Sequence, residues 1–128
     1  MMLSNPSILI TDDDQQFRET VRGVLAPRGY RTLLAGSGPE ALDILTREEV
    51  HVVLLDMHMP WLTGLETLRR VKLLQARLPC ILLSGRMDDA LRREAEAAEA
   101  FSVLAKPVTR LELTNVVELA LSRSWGQN

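Results

Sequence analysis

The feature that most constrains the fold of this chain is an alternation, repeated five times, between a short apolar run and a longer amphipathic segment. The runs are Ile8 to Ile10, Tyr30 to Leu34, Val52 to Leu55, Cys80 to Leu83, and Val103 to Leu104. Runs that are apolar at every position are typical of strands buried on both faces of a parallel sheet. We therefore predict five parallel strands, each followed by a helix.

The segments between the runs have the periodicity of amphipathic helices. Apolar residues at positions 17, 21, 24 and 25 share one helical face, and those at 113, 116, 117, 120 and 121 share another. Ser37, Thr63 and Thr109 are each followed three residues later by Glu, a pattern that predicts a capping box at a helix start. The fourth segment, Asp88 to Ala100, has Leu91 as its one large apolar residue, so we expect it to be the most mobile helix.

Five strand–helix units imply a doubly wound α/β domain with right-handed crossovers. Ligands of such domains bind at the carboxyl ends of the strands. Four of the five predicted strands deliver a polar or charged residue to that edge. Carboxylates at Asp12 to Asp14 follow strand 1 and Asp56 follows strand 3, while Ser84 and Lys106 end strands 4 and 5.

These residue types together indicate phosphoryl transfer to a carboxylate. Carboxylates that converge on one crevice repel each other, and a cation neutralises them. Mg²⁺ prefers one or two carboxylates together with waters and phosphate oxygens. A lysine and a hydroxyl facing the metal suit the remaining phosphoryl oxygens, and an aspartate can be the nucleophile. Taken alone, Asp14 is better explained as a helix N-cap.

Composition sets the class of protein. The chain has 128 residues, 46% hydrophobic and 25% charged, which suits one globular domain. It has 15 basic and 17 acidic residues, a net charge of −2, which argues against a nucleic-acid binder. Its single cysteine excludes an internal disulfide. The chain has no apolar run long enough to span a membrane and no secretory signal, so we expect a cytoplasmic domain.

Five sequence blocks resemble those of one known family, the receiver domain of two-component response regulators. The blocks are TDDD at 11–14, LDMHMP at 55–60, TGLE at 63–66, LLSG at 82–85 and AKP at 105–107. The resemblance runs from Ile8 to about Leu121. It implies a flavodoxin-like fold with strand order 2-1-3-4-5 and five helices. On this interpretation residues 1–121 are the receiver domain, and residues 122–128 are a tail or the start of a linker.

The resemblance also implies a phosphoacceptor and a metal site. Asp56 corresponds to the family's acceptor of a phosphoryl group from a phosphohistidine. Asp13 and Asp56 correspond to direct Mg²⁺ ligands, and Asp12 to a ligand that acts mainly through a water. The main-chain carbonyl of His58 corresponds to a further metal ligand.

On the same grounds, two more residues are expected to contact the phosphoryl group. Ser84 corresponds to a hydroxyl that hydrogen-bonds one phosphoryl oxygen, and Lys106 to a cation that pairs with another. The Lys106–Pro107 bond is expected to be cis, as in the family. One departure from the family is Val103, three residues before the lysine, where Tyr or Phe is usual.

The resemblance implies a signalling switch rather than an enzyme acting on other substrates. Its expected partners are a sensor histidine kinase or phosphotransfer protein and an output partner that the sequence does not identify; one expected assembly is a dimer through the helix 4–strand 5–helix 5 face. An alternative is a phosphorylation-independent pseudo-receiver, although such domains tend to lose the acidic pair, the acceptor or the lysine. A second is a haloacid-dehalogenase-like phosphatase, whose nucleophile follows the first strand rather than the third.

Overall fold

Five parallel strands form one sheet in the order β2-β1-β3-β4-β5, which confirms the predicted strand order. The computed structural model describes residues 4–126. The strands are β1 (Ser7–Thr11), β2 (Arg31–Ala35), β3 (Val52–Asp56), β4 (Cys80–Ser84) and β5 (Ser102–Ala105). Every residue of the three central strands is buried, as expected for strands covered on both faces.

Within residues 4–126, five α-helices connect and cover the strands, as the alternation predicts. They are α1 (Gln15–Leu25), α2 (Gly38–Arg47), α3 (Gly64–Leu74), α4 (Asp89–Ala97) and α5 (Arg110–Trp125), with a 3₁₀ turn at Ala26–Arg28 after α1. Helices α2, α3 and α4 contribute to an apolar cluster on one face of the sheet. Helices α1 and α5 contribute to a second cluster on the other face. No helix in the described part of the chain has the length and apolar character needed to cross a membrane.

Two of the three predicted capping boxes are complete. The Thr63 and Thr109 hydroxyls each accept from the amide three residues on, and the glutamate at that position returns the bond to the Thr amide. The prediction for Ser37 is half right. Its hydroxyl accepts from Glu40 N, but the Glu40 carboxylate accepts from Gly36 N at 2.5 Å.

The last helix is longer than the sequence indicates. We predicted a tail from residue 122, but α5 continues through Trp125. The Trp125 indole N–H donates to the His51 carbonyl at 2.8 Å, and the two rings pack edge to face. His51 Nδ1 accepts in turn from Ser7 N at 2.9 Å. Trp125 at the end of α5 therefore contacts the domain, while residues 127 and 128 lie outside the described part of the chain.

Candidate phosphoacceptor and metal site

The predicted site residues meet at the carboxyl edge of the sheet. Asp12 follows β1 directly, Asp56 and Ser84 are the last residues of β3 and β4, and Lys106 follows β5 directly. Pairing in register carries these strand ends to the same level, since Asp56 pairs with Leu83 and Ser84 with Ala105. The position agrees with the general rule for ligand sites in open α/β sheets.

Three carboxylates form a cluster that has the chemistry of a divalent metal site. Asp12, Asp13 and Asp56 each offer one oxygen, and these oxygens all lie within 4.8 Å of one another. Asp12 and Asp56 are buried, with 2% and 5% of their surface exposed, whereas Asp13 is exposed. A site of several carboxylate oxygens open to solvent on one side suits Mg²⁺, which retains waters when it binds proteins.

Asp14 does not belong to the cluster, as the sequence analysis predicted. Its carboxylate accepts from Gln16 N at 2.9 Å and Phe17 N at 3.3 Å, so it caps α1. The Asp14 amide donates to Asp12 Oδ1 at 2.9 Å. The hydrogen bond from Asp14 N to Asp12 therefore connects the helix cap to the buried carboxylate and orders the acidic loop at the start of α1.

Lys106 is the cation that faces the buried carboxylates. Its Nζ lies 2.8 Å from Asp56 Oδ1 and 2.9 Å from Asp12 Oδ2. The same ammonium lies 4.2 Å from the centre of the Phe17 ring, a cation–π contact. The peptide bond between Lys106 and Pro107 is cis, as expected.

The electrostatics of the site favour a bound cation beside Asp56. Burial, followed by the charges of Asp12 and Asp13, raises the pKa of Asp56, although the hydrogen bond from Lys106 opposes this shift. Burial lowers the pKa of Lys106, but its hydrogen bonds to Asp56 and Asp12 outweigh burial, so the net shift is upward. The lysine therefore stays charged at neutral pH. Its single positive charge faces a cluster of three acidic groups.

Ser84 is fully buried, and its hydroxyl points toward the loop between β4 and α4. Ser84 Oγ donates to the Arg86 carbonyl at 2.6 Å and accepts from Arg86 N at 3.1 Å. Its predicted contact with a phosphoryl oxygen stays a prediction. His58 is exposed in the loop between β3 and α3, and its carbonyl as a metal ligand also stays a prediction.

Three residues near the site were not singled out from the sequence for their contacts there. Arg18 donates to the Asp12 carbonyl at 2.6 Å, and Phe17 lies against the lysine. A side chain added at Gly64 would place its Cβ 2.4 Å from the Asp56 carbonyl oxygen. The sequence places position 17 on a predicted core face and Gly64 within the TGLE block. Their contacts with the site arise from the tertiary fold and have no local sequence signal.

The fold and site together define a doubly wound α/β domain in which carboxylates and a lysine converge at the carboxyl edge of a parallel sheet. The model of the response regulator receiver domain family matches residues 8–118. This chain therefore belongs to the response regulator receiver domain family.

Comparison with known proteins agrees with that membership. The chain is 33% identical over 116 residues to sporulation initiation phosphotransferase F of Bacillus subtilis, covering 91% of this chain and 94% of the relative. It is 36% identical over 117 residues to the response regulator MprA of Mycolicibacterium vanbaalenii, but spans 51% of that protein's length. A response regulator receiver domain protein from Clostridium thermocellum has a similar structure, with a TM-score of 0.87 and 32% identity, covering 92% of this chain and 95% of that one.

Proposed function

We propose that this chain is a phosphorylation switch in which Asp56 accepts a phosphoryl group from a phosphohistidine on a sensor kinase or phosphotransfer protein. The observation that carries the proposal is the buried Asp56 carboxylate, which lies within 4.8 Å of oxygens of Asp12 and Asp13 and 2.8 Å from the Lys106 ammonium. An Asp56 oxygen attacks phosphorus, the P–N bond to the donor histidine breaks, and that nitrogen keeps the electron pair. The product is an acyl phosphate on Asp56.

Mg²⁺ is the proposed cofactor, and the donor set fits it. Asp13 and Asp56 are the proposed direct ligands, with Asp12 acting through a water and the His58 carbonyl as a further ligand. Bound there, the ion would neutralise charge that develops on the phosphoryl oxygens. Asp12 also holds the lysine through its Oδ2 atom, which keeps the cation close to the acceptor.

Lys106 and Ser84 are the proposed phosphoryl contacts. Lys106 already binds Asp56 Oδ1, so it is placed to pair with an oxygen of a group attached to that carboxylate. For Ser84 to bind another oxygen, its hydroxyl must give up its two hydrogen bonds to Arg86. Phosphorylation would thereby change the loop that leads into α4.

The proposed activity is confined to the chain's own phosphorylation and dephosphorylation, with signalling in the cytoplasm as its role. The output partner is a separate domain or protein, and the helix 4–strand 5–helix 5 face is the proposed surface for dimerisation. The chain retains the acidic pair, the acceptor and the lysine in one site, which favours a phosphorylated receiver over a pseudo-receiver.

Phosphorylation by acetyl phosphate tests this proposal. With Mg²⁺, we expect intact mass spectrometry to show the addition of one phosphoryl group that is stable in acid and lost in base. Asp56→Asn should abolish the addition. Asp43→Asn is the matched control, since Asp43 lies on α2 in an exposed ion pair with Arg47. An adduct that persists in Asp56→Asn, or that forms equally well in EDTA, would contradict the assignment.

A further inference from the structure

Trp61 is the most exposed aromatic side chain among residues 4–126, with 83% of its surface accessible. It lies in the loop between β3 and α3, five residues after the proposed phosphoacceptor Asp56. Tryptophan carries a large apolar surface and is highly buried on average in folded proteins. A solvent-exposed indole in the loop that follows Asp56 therefore calls for a physical explanation.

The backbone at Trp61 adopts a conformation that bulky residues rarely take. Its φ angle is +67°, in the left-handed region, where the backbone of any residue other than glycine is strained. Leu62 N donates to the Pro60 carbonyl at 2.8 Å, which closes a tight three-residue turn around Trp61. Such strain persists only where the surrounding structure fixes it, and it concentrates at functional sites.

Both flanks of the turn are anchored. Met59 is 8% exposed, so the side before the turn is held in the core. On the other side Leu62 contacts α2 closely, since a Cβ built onto Gly38 would lie 2.9 Å from Leu62 Cβ. Thr63 then caps α3. The backbone on both sides of the exposed indole is therefore held in place by the fold.

The position of the loop indicates which kind of partner contacts Trp61. Asp56 is 5% exposed, and the hydrogen bond from Gly64 N to the Met57 carbonyl closes the loop directly above the end of β3. A phosphohistidine must bring its phosphorus in line with the Asp56 carboxylate, so the protein surface around that histidine has to cover the rim of the site. Exposed aromatic anchors of this kind are enriched at the centres of protein interfaces.

We infer that Trp61 is a docking residue for the protein phosphodonor, with its indole packed on apolar side chains beside the donor's phosphohistidine. The inference rests on the proposed phosphotransfer to Asp56. A small donor such as acetyl phosphate delivers phosphorus to the same carboxylate without a surface that reaches the indole. The two kinds of donor therefore separate docking from chemistry.

The test compares both donors on two variants. Trp61→Gly removes the indole and tolerates the positive φ, so the loop keeps its shape. Leu73→Ala is the matched control, because Leu73 is 87% exposed at the far end of α3 from the site. The protein donor is the histidine kinase core from the source genome that transfers fastest to the wild-type chain, phosphorylated with radiolabelled ATP. Circular dichroism checks that each variant is folded.

We expect Trp61→Gly to lower the second-order rate constant for transfer from the kinase by about tenfold. The rate from acetyl phosphate should stay within about twofold of wild type, and Leu73→Ala should match wild type with both donors. Transfer from the kinase at the wild-type rate would overturn the inference. Equal losses with both donors would also overturn it, because Trp61 would then shape the site rather than dock the donor.

Three further outcomes would contradict either the proposed function or this inference. A wild-type chain that takes no phosphoryl group from either donor would contradict the proposed function itself. A wild-type chain that reacts with acetyl phosphate but with none of the kinases would preserve the chemistry and overturn the docking role. Loss of self-association in Trp61→Gly, with kinase transfer intact, would assign the indole to a second copy of this chain and would likewise overturn the inference.

Discussion

The two sides of the site differ in how firmly they are built. On one side, β3 is buried throughout, and α3 buries five residues (Gly64, Leu65, Thr67, Leu68 and Val71) behind a complete capping box. On the other side, α4 buries Ala95 alone among its nine residues, and all four residues of β5 are half-buried or exposed. The proposed phosphoacceptor Asp56 thus ends a fully buried strand, while Ser84 and Lys106 border a loosely packed region. Stability is unevenly distributed in this way in proteins that switch.

Ser84 is the physical link between the two sides. It is the last residue of the buried strand β4, yet its hydroxyl bonds the backbone of Arg86 in the loop before α4. A ligand on Asp56 that attracts this hydroxyl must compete with both bonds. If the ligand binds more tightly when the Ser84 hydroxyl faces it than when that hydroxyl bonds Arg86, the equilibrium shifts toward a new loop conformation.

Gly64→Ala, set against Gly85→Ala, should give the largest contrast between the two sides. A Cβ at Gly64 meets the backbone of Asp56 and Met57 at 2.4 and 2.8 Å, so one of them must move. At Gly85, in the β4–α4 loop, a Cβ meets nothing within 4 Å. We expect Gly64→Ala to lower the free energy of unfolding by about 3 kcal/mol and Gly85→Ala to change it by less than about 0.5 kcal/mol. Urea denaturation measures both, and equal losses would show that the sides do not differ.

Leucine truncation in the two helices should give a smaller contrast. Leu68 in α3 is fully buried, whereas Leu91 in α4 is half-buried. Leu68→Ala should cost about 3 kcal/mol of unfolding free energy, because it leaves a cavity that the sheet cannot close. Leu91→Ala should cost about 1 kcal/mol or less. Thermal and urea unfolding measure both variants. Equal stability of the two would contradict the difference in packing between α3 and α4.

Most of the fold and the polar site could be predicted because both follow from local patterns. Buried strands are continuous apolar runs, and residues that follow parallel strands meet at one edge. The acidic cluster and Lys106 were therefore predictable, and the distances confirm that they meet. The contact of Arg18 with the Asp12 carbonyl was not predictable, because an arginine on a helix resembles a solvated residue until the tertiary fold is known.

The α4–β5 side was predicted less well because its local signals are weak. We predicted a helix to Ala100, but α4 ends at Ala97 and Glu99 has a φ of +64°. Phe101 and Val103 are two positions apart, a spacing that places side chains on the same side of a strand. They pack against opposite clusters instead, and Phe101 lies outside β5, which begins at Ser102. Helix propensity and alternation both fail where little burial enforces them.

A phosphoryl mimic should perturb the protein less than either pair of substitutions, but it tests directly which region moves. In the family, an aromatic residue on strand 5 moves when the serine or threonine hydroxyl is drawn toward the phosphoryl group. Val103 has no ring and few rotamers, so it cannot transmit that motion. A pocket of about 200 Å³ that opens to solvent is lined by Arg92, Glu96 and Val103, among others. Helix α4 buries Ala95 alone among its nine residues, so we expect a shift of α4 without β5 to break few apolar contacts.

Amide hydrogen exchange with and without beryllofluoride and Mg²⁺ measures where the change goes. We expect altered protection across residues 85–98, because the mimic competes with Arg86 for the Ser84 hydroxyl, and little change across β5. Asp56→Asn is the control, since it removes the carboxylate to which we expect the mimic to bind. Altered protection centred on β5 and the start of α5, with residues 85–98 unchanged, would show that β5 carries the signal despite Val103 and that loose packing does not determine which region moves.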